Sequence, residues 1–405
     1  MRIVPGAFCA QAAATNSTKQ PASSRGRFTI SLALRISYPT CRGGPRTGKA
    51  VTCELKPAGR HTRIGIHYDT GFFPGGRSSR TSFDAEQVAL DMKAIAGDLN
   101  CAAVRIVGGD LDRLTVAAGL AAAEGLEVWF SPMPCELDSD EMLAVFDDSA
   151  ARAEALRRQS AGKVVLVLGC EVSLFGRGVL PGADAYARIA RLSAPGPELF
   201  AEYPAIVRRL NAFLSRAAET ARAKFAGPLT YASGPWEQID WTAFDIVGVD
   251  AYRDRGNAST FDRQLDELFV HGKPVAVTEF GCCTYRGAAE RGGNGWAIVT
   301  GHGENQRLDG DYVRDESEQV AYLRELLEIY QRHGVDIAFW FTFASWNRPH
   351  RRHPREDMDL ASFGVVSLAA VSFSPSAHVG HLELRSAPIP PHFRPRGTKG
   401  SPPTT

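Results

Sequence analysis

The sequence predicts an α/β protein built on one (β/α)8 barrel of the TIM type, flanked by poorly structured N- and C-terminal extensions. Three observations predict it. Eight short runs rich in Val, Ile and aromatic residues alternate with helical patterns over about 300 of the 405 residues. The runs are apolar throughout, as strands covered by helices on both faces are, instead of alternating apolar and polar. The stretch after the first run, Asp69-Thr-Gly-Phe-Phe-Pro-Gly-Gly, carries neither GxGxxG nor a Walker motif, which counts against the doubly wound nucleotide-binding sheet as the alternative.

The predicted strands are Arg63–Tyr68, Ala102–Val107, Leu126–Ser131, Val164–Gly169, Leu229–Ser233, Asp245–Ala251, Pro274–Glu279 and Asp336–Phe343. Phe83–Leu99 reads as a helix because Val88, Met92, Ile95 and Leu99 recur at helical spacing after Ser82, a candidate N-cap. Leu111–Glu124 and Ser139–Gln159 follow. Glu202–Phe225 has Ile206, Leu210, Phe213 and Leu214 on one face and stops at Gly227-Pro228. Phe261–Val270 ends before His271-Gly272. Glu316–His333 carries Val320, Leu323, Leu327 and Tyr330 and ends at Gly334. No closing helix is patterned after the eighth strand, so that helix is expected to be absent, short or replaced by the tail.

Charge marks the boundaries. Residues 1–60 hold ten Lys/Arg and one acid, Glu54; residues 366–405 hold four Lys/Arg, one acid and seven prolines. The overall charge of +1 therefore hides an acidic middle of net −11. We read 1–60 as a basic, disordered extension outside the fold, 61–365 as the barrel, and 366–405 as a Pro-rich tail. An Arg- and Ser-rich, acid-poor start also fits a transit peptide, but the Ala- and Arg-rich middle suits a bacterial chain. The eight cysteines show no CxxC and no zinc-type spacing, which predicts a reducing compartment, a cytoplasmic location and no metal or other cofactor. No run approaches the roughly 20 apolar residues of a spanning helix, and an acidic barrel suits a neutral ligand better than nucleic acid. The partner expected is a carbohydrate, with no nucleic acid and no membrane.

In a barrel of this type the C-terminal ends of the strands carry the chemistry. Two glutamates, Glu171 and Glu279, follow the apolar runs VVLVLGC and KPVAVT directly. An unpaired carboxylate is costly to bury, so each must be partnered or face the mouth, and Arg105 on the second strand is a candidate partner. Tyr68, Trp129, Trp236, Tyr252, Trp340 and Trp346 lie at similar levels, and His67 ends the first strand. Carboxylates among aromatic rings suit a sugar, whose C–H faces stack while its hydroxyls need polar partners. Two facing carboxylates are what glycoside hydrolysis requires.

On these residues the 61–365 segment resembles the large clan of retaining (β/α)8 glycoside hydrolases that includes cellulases and β-mannanases. Val277-Thr278-Glu279-Phe280-Gly281 is similar to that clan's nucleophile strand, and Glu171 after Leu168-Gly169-Cys170 to its acid/base. The resemblance implies that Arg105 and Tyr252 support the nucleophile and that Trp340 or Trp346 forms the strand-eight sugar platform. It implies hydrolysis of a β-linked oligosaccharide or glycoconjugate by double displacement. Trp129, Trp236 and His67 complete the candidate substrate contacts. The sequence departs from the clan at Cys170, where the resemblance implies an Asn on the sugar 2-hydroxyl. It also resembles actinobacterial proteins labelled abortive phage infection proteins. An inactive barrel that binds carbohydrate or serves in phage defence is thus the alternative function. Bland roles also stand beside the sharp ones: ion pairs of the glutamates with Arg105, Arg177 or Arg286, a structural His67, and Trp129 as core. Asp69, Asp110 and Asp250 read as helix caps or Arg partners. His350 and His353 lie in a charged loop and are weak metal candidates. The glycine-rich loop 287–310 is a lid candidate that carries Trp296.

Overall fold

The computed structural model describes residues 61–74, 78–301 and 305–368, with the backbone of a short strand at 382–384. The expectations for 1–60 and for most of 366–405 lie outside the described residues. Seven parallel strands come first: β1 (Arg63–Gly71), β2 (Ala103–Gly108), β3 (Glu127–Pro132), β4 (Val164–Cys170), β5 (Leu229–Ala232), β6 (Val247–Asp250) and β7 (Val275–Phe280). A short antiparallel hairpin, β8 (Val299–Thr300) with β9 (Arg307–Leu308), precedes the eighth barrel strand, β10 (Ile337–Trp340). The sheet order is β5-β4-β3-β2-β1-β10-β7-β6. Beyond β5, Ser233 bridges Val249 in parallel, and its N–H donates to Gly248 O (3.1 Å) while Asp250 N–H donates to Ser233 O (2.9 Å). These bonds bring the two sheet edges together into a barrel.

Helices fill the crossovers except β5–β6, which holds only a 3-10 turn at Trp241–Ala243: α1 (Ala85–Gly97), α2 (Leu111–Ala123), α3 (Ser139–Gln159), α4 (Val172–Phe175), α5 (Ala185–Ser193), α6 (Pro197–Arg222), α7 (Phe261–Leu268) and α8 (Glu316–His333). Local chemistry sets their ends. Asp138 accepts from the Asp140 and Glu141 N–H groups while Glu141 reaches back to the Asp138 N–H, a capping box that starts α3. Gly334 ends α8 at φ 85, a left-handed position that suits glycine. Helix α1 is capped by Asp84, not by Ser82, because the Asp84 carboxylate accepts from the Glu86 N–H. Helix α6 begins five residues before its predicted start, with Pro197 in its first turn, where a missing N–H costs nothing. No helix of the described residues is long and apolar enough to cross a membrane.

Among the described residues no closing helix follows β10. After β10 the chain makes two 3-10 turns, Pro354–Glu356 and Met358–Ala361, and returns as β11 (Val366–Leu368). There Val365 and Val366 donate to Thr342 O (3.1 Å) and Phe343 O (2.9 Å). Val366 is buried, so the packed structure continues past residue 365. Strand β11 also pairs antiparallel with β12 (Leu382–Leu384).

Inside the barrel, His67, Arg105 and Trp129 share one register across β1, β2 and β3. The layer nearer the strand starts is filled by Phe339 and Trp129, whose rings pack at 4.8 Å. Gly65 makes room for it, since a Cβ there would lie 2.5 Å from the Phe339 ring. The strand starts are tied by Arg63, which pairs with Glu127 (2.7 Å) and Asp336 (2.6 Å). This packed floor leaves the opposite, C-terminal ends of the strands to carry the polar residues.

Candidate active site

Glu279 is the centre of the polar cluster at those ends. It faces the barrel interior, while its neighbour Phe280 turns outward onto Tyr330 of α8. Arg105 Nη1 donates to Glu279 Oε1 (3.2 Å) and to Thr278 O (3.1 Å), and lies 3.8 Å from Asp250 Oδ1. Tyr252 Oη donates to Glu279 Oε2 at 3.3 Å. The Cys170 thiol reaches across from β4 to within 3.7 Å of Glu279 Oε1 and 3.5 Å of Asp250 Oδ2. Asp250 is held in turn by the Thr278 hydroxyl (2.7 Å). Glu279, Arg105, Cys170 and Asp250 are all buried.

Burial sets the electrostatics. It pushes Glu279 up to about 8, and the nearby Asp250 carboxylate adds to the rise against the pull of Arg105. Asp250 is pushed up to about 6 by burial, with Arg105 opposing. Burial, then Asp250 and Glu279, hold the Cys170 thiol well above its ordinary value, so it is no thiolate nucleophile. Burial also lowers Arg105, but Cys170, Glu279 and Asp250 outweigh it and keep the guanidinium charged.

His67 has a definable tautomer. The Thr342 hydroxyl donates its proton to His67 O (2.9 Å), so at the 3.3 Å contact with His67 Nδ1 the ring must be the donor. Burial and Arg105 keep the ring neutral. Nε2 is therefore a bare lone pair, buried without a hydrogen-bond partner, 3.8 Å from Glu279 Oε1. This contact is not an ion pair. The second Arg105 nitrogen, Nη2, is also buried and unpartnered. One unused acceptor and one unused donor thus flank Glu279.

Glu171 sits at the end of β4 in a left-handed backbone conformation, φ 44 and ψ 48, and is fully buried. Such a conformation is rare for a residue with a side chain and persists only where its surroundings hold it. Its own N–H is taken by Ala232 O at 2.9 Å, and Tyr231 and Glu237 fix the next two residues.

The aromatic residues distribute differently from expectation. Tyr252 belongs to the cluster. Trp340 is a correction: β10 alternation turns it to the outer face, where it packs on Phe280 at 5.4 Å and its indole N–H donates to Phe363 O. Trp129 is a second correction. Its indole N–H donates to Glu127 Oε1 (2.8 Å), two residues back toward the strand start, so it fills the barrel floor. Trp236 turns to the helical layer, donating to Ser173 Oγ (3.0 Å) and lining a small apolar cavity with Leu180, Leu199 and Tyr203. Trp346 is half-buried; its N–H donates to Asp69 O (3.1 Å) and the Arg80 guanidinium stacks on its ring at 3.7 Å. Phe341 and Phe363, and not those tryptophans, pack beside the cluster. Phe341 lies against His67 (4.8 Å), and Phe363 lies against Phe341 (5.6 Å) and Tyr252 (6.1 Å).

Sequence reasoning missed Asp250 as a neighbour of Glu279 and missed Glu237 altogether. The signal for Asp250 was its place at the end of the sixth strand. Glu237 lies in the loop Gly234-Pro-Trp-Glu, where no periodicity marks it. Of the other aspartates, Asp110 caps α2. In the glycine-rich loop, Trp296 is half-buried against the core, and the Tyr285 hydroxyl anchors the loop at Gly295 O (2.9 Å).

Two clusters have metal-like spacing among the described residues: Cys170, Asp250 and Glu279, and His350, Asp357 and Asp359. Each already has a resident cation. Arg105 serves the first, and Arg314 pairs with Asp357 (2.6 Å) and Asp359 (2.8 Å) in the second. A guanidinium beside the carboxylates weakens the case for a metal ion at either place.

The raised Glu279 value has a consequence for stability. A carboxyl whose pKa rises on folding stabilises the fold while protonated, below its ordinary 4.5, and that contribution is lost as pH rises through about 8. Glu279→Gln keeps the shape without the charge. The difference in Tm between variant and wild type is expected to grow in the variant's favour from pH 5 to 8.5, measured by scanning calorimetry. A variant less stable than wild type at pH 8.5 would contradict this assignment.

No family model matches the chain and no curated protein matches it. Among solved structures it is similar to a GH113 beta-1,4-mannanase, at 14% identity over 76% of this chain and 95% of that one, with a TM-score of 0.49. It is similar to the GH113 beta-mannanase AaManA of Alicyclobacillus acidocaldarius, at 13% identity over 75% and 96% of the two chains, TM-score 0.46. It is similar to Thermotoga maritima Cel5A, at 12% identity over 75% and 96%, TM-score 0.44. What the site can do follows from its own residues.

Proposed function

We propose that the protein is a retaining glycoside hydrolase acting on a β-linked oligosaccharide or glycoconjugate, with Glu279 as nucleophile and Glu171 as acid/base. The observation that carries this reading is the 3.7 Å contact of Cys170 with Glu279 across the strand ends. It brings the end of β4, and hence Glu171, within side-chain reach of a carboxylate already gripped by Arg105 and Tyr252. Two glutamates on β4 and β7 then have the roles that double displacement needs.

In the first half of the reaction Glu279 attacks the anomeric carbon and Glu171 protonates the departing oxygen. In the second half Glu171, now a carboxylate, takes a proton from water, which attacks the anomeric carbon and frees Glu279. Arg105 and Tyr252 hold one Glu279 oxygen each and steady its charge as it is displaced. The bare His67 Nε2 and the unused Arg105 Nη2 offer an acceptor and a donor for sugar hydroxyls. Both glutamates are sealed from solvent, so the aromatic side chains around them must part before a sugar reaches them.

A panel of aryl β-glycosides tests the reading. Hydrolysis with retention of configuration is expected. Because attack needs ionised Glu279, kcat/KM is expected to climb with pH toward about 8. No hydrolysis across the panel, together with binding to a glycan array, would instead favour a barrel that binds carbohydrate without turnover.

A further inference from the structure

We propose that Glu237, with Tyr231, is a positioning residue that clamps the backbone behind Glu171 and so aims the acid/base; this rests on the glycosidase reading above. Glu237 lies in the loop after β5, one strand on from Glu171, yet it holds Ser173 directly and Val172 through Tyr231. Its Oε1 accepts from the Ser173 N–H (3.1 Å). Its Oε2 accepts from the Tyr231 hydroxyl (2.8 Å) and the Gly234 N–H (3.0 Å). The same Tyr231 oxygen accepts from the Val172 N–H at 2.7 Å. Trp236 adds a bond from its indole N–H to Ser173 Oγ (3.0 Å).

These are the N–H groups of the first turn of α4, which no carbonyl within that helix reaches. They are fixed instead by one carboxylate and one phenol rooted on β5. The clamp acts on the residue that needs it most. Glu171 holds a left-handed backbone (φ 44, ψ 48), a strained conformation for a residue other than glycine. It has no side-chain cap of its own at this helix start. Relaxing toward an ordinary strand or helix conformation would redirect the Glu171 carboxyl. The clamp also asks for an acceptor-only group. Three donors converge on two Glu237 oxygens, so an amide at this position must turn an N–H toward at least one of them. The Glu237 oxygens are turned to Ser173, Tyr231 and Gly234, so its effect on the reaction runs through the backbone that follows Glu171.

The test uses Glu237→Gln and Tyr231→Phe in the full chain. If the clamp aims the acid/base, both variants should lose tenfold or more in kcat/KM on glycosides with poor leaving groups, which need protonation. On a dinitrophenyl glycoside, whose leaving group departs without a proton, the loss should stay under about threefold. Hydrogen exchange should speed up in the peptide spanning 171–176 and stay unchanged in β1, β2 and β7. Equal losses on both substrate types, or unchanged exchange in 171–176, would overturn the proposal. If the wild type turns over no glycoside, the parent reading fails, and the exchange result alone still decides whether the clamp exists.

Discussion

Glu279→Ala is expected to lower kcat/KM on aryl β-glycosides by at least about a thousandfold, the scale of loss when a covalent nucleophile is removed. The residue supplies the bond that forms, and its neighbours offer no substitute. The Cys170 thiol is held protonated by burial and by the Asp250 and Glu279 carboxylates. Asp250 is held by the Thr278 hydroxyl (2.7 Å) and lies 3.8 Å from Arg105 Nη1. Glu171→Gln should behave differently. It should spare the first step on activated substrates and slow the second, because water then lacks its base. A burst of aryl leaving group followed by slow turnover is the expected trace. Hydrolysis unchanged in both variants would refute the assignment.

Arg105→Met is expected to destabilise the fold by about 3–5 kcal/mol, the usual cost of stranding a buried charge by removing its partner. Arg105 is completely buried among Glu279, Asp250 and Ser131, and its guanidinium lies 3.2 Å and 3.8 Å from the two carboxylates. Its loss leaves two acidic groups facing each other in a dry site. They can respond by taking up protons, so the loss should be largest at high pH and smaller near pH 5. Adding Glu279→Gln should recover much of the lost stability, since the stranded charge goes with it. Chemical denaturation of the single and double variants measures this. A double variant no more stable than Arg105→Met would show that packing of the guanidinium, and not its charge, is what the site needs.

The barrel was legible because its strands are. Runs such as VVLVLGC and KPVAVT are buried on both faces, and burial on both faces leaves no polar alternation to confuse them. Helices α3 and α8 matched their predicted bounds because each carries its own punctuation, a capping box at Asp138 and a glycine at 334. Helix α6 was harder: a proline inside it, Pro204, hides the true start at Pro197. The missing eighth helix could be anticipated, but its replacement by β11 depends on hydrogen bonds to Thr342 and Phe343 that no local pattern announces.

The site was legible where strand ends place residues and illegible where side-chain direction decides. The meeting of Arg105 and Tyr252 at Glu279 could be anticipated from strand-end position alone. The direction of Trp340 could not, because a shift of one residue along a strand moves a side chain from one face to the other. Trp129 points inward but is drawn down to Glu127, and only coordinates reveal that. Glu237 sits in a loop where its sequence neighbours say nothing, and its partner Ser173 lies more than sixty residues away in the chain. Asp250 reads as a cap or an Arg partner and does lie beside Arg105, but its closeness to Glu279 is a property of packing.

The most direct test of the central claim is covalent trapping. The wild-type protein is incubated with a 2-deoxy-2-fluoro β-glycoside bearing an activated leaving group, digested, and mapped by mass spectrometry. A retaining mechanism through Glu279 predicts one glycosyl adduct, on the peptide containing Val277-Thr278-Glu279, absent in Glu279→Ala. Hydrolysis of the parent glycoside without any adduct, or an adduct on another residue, would contradict it.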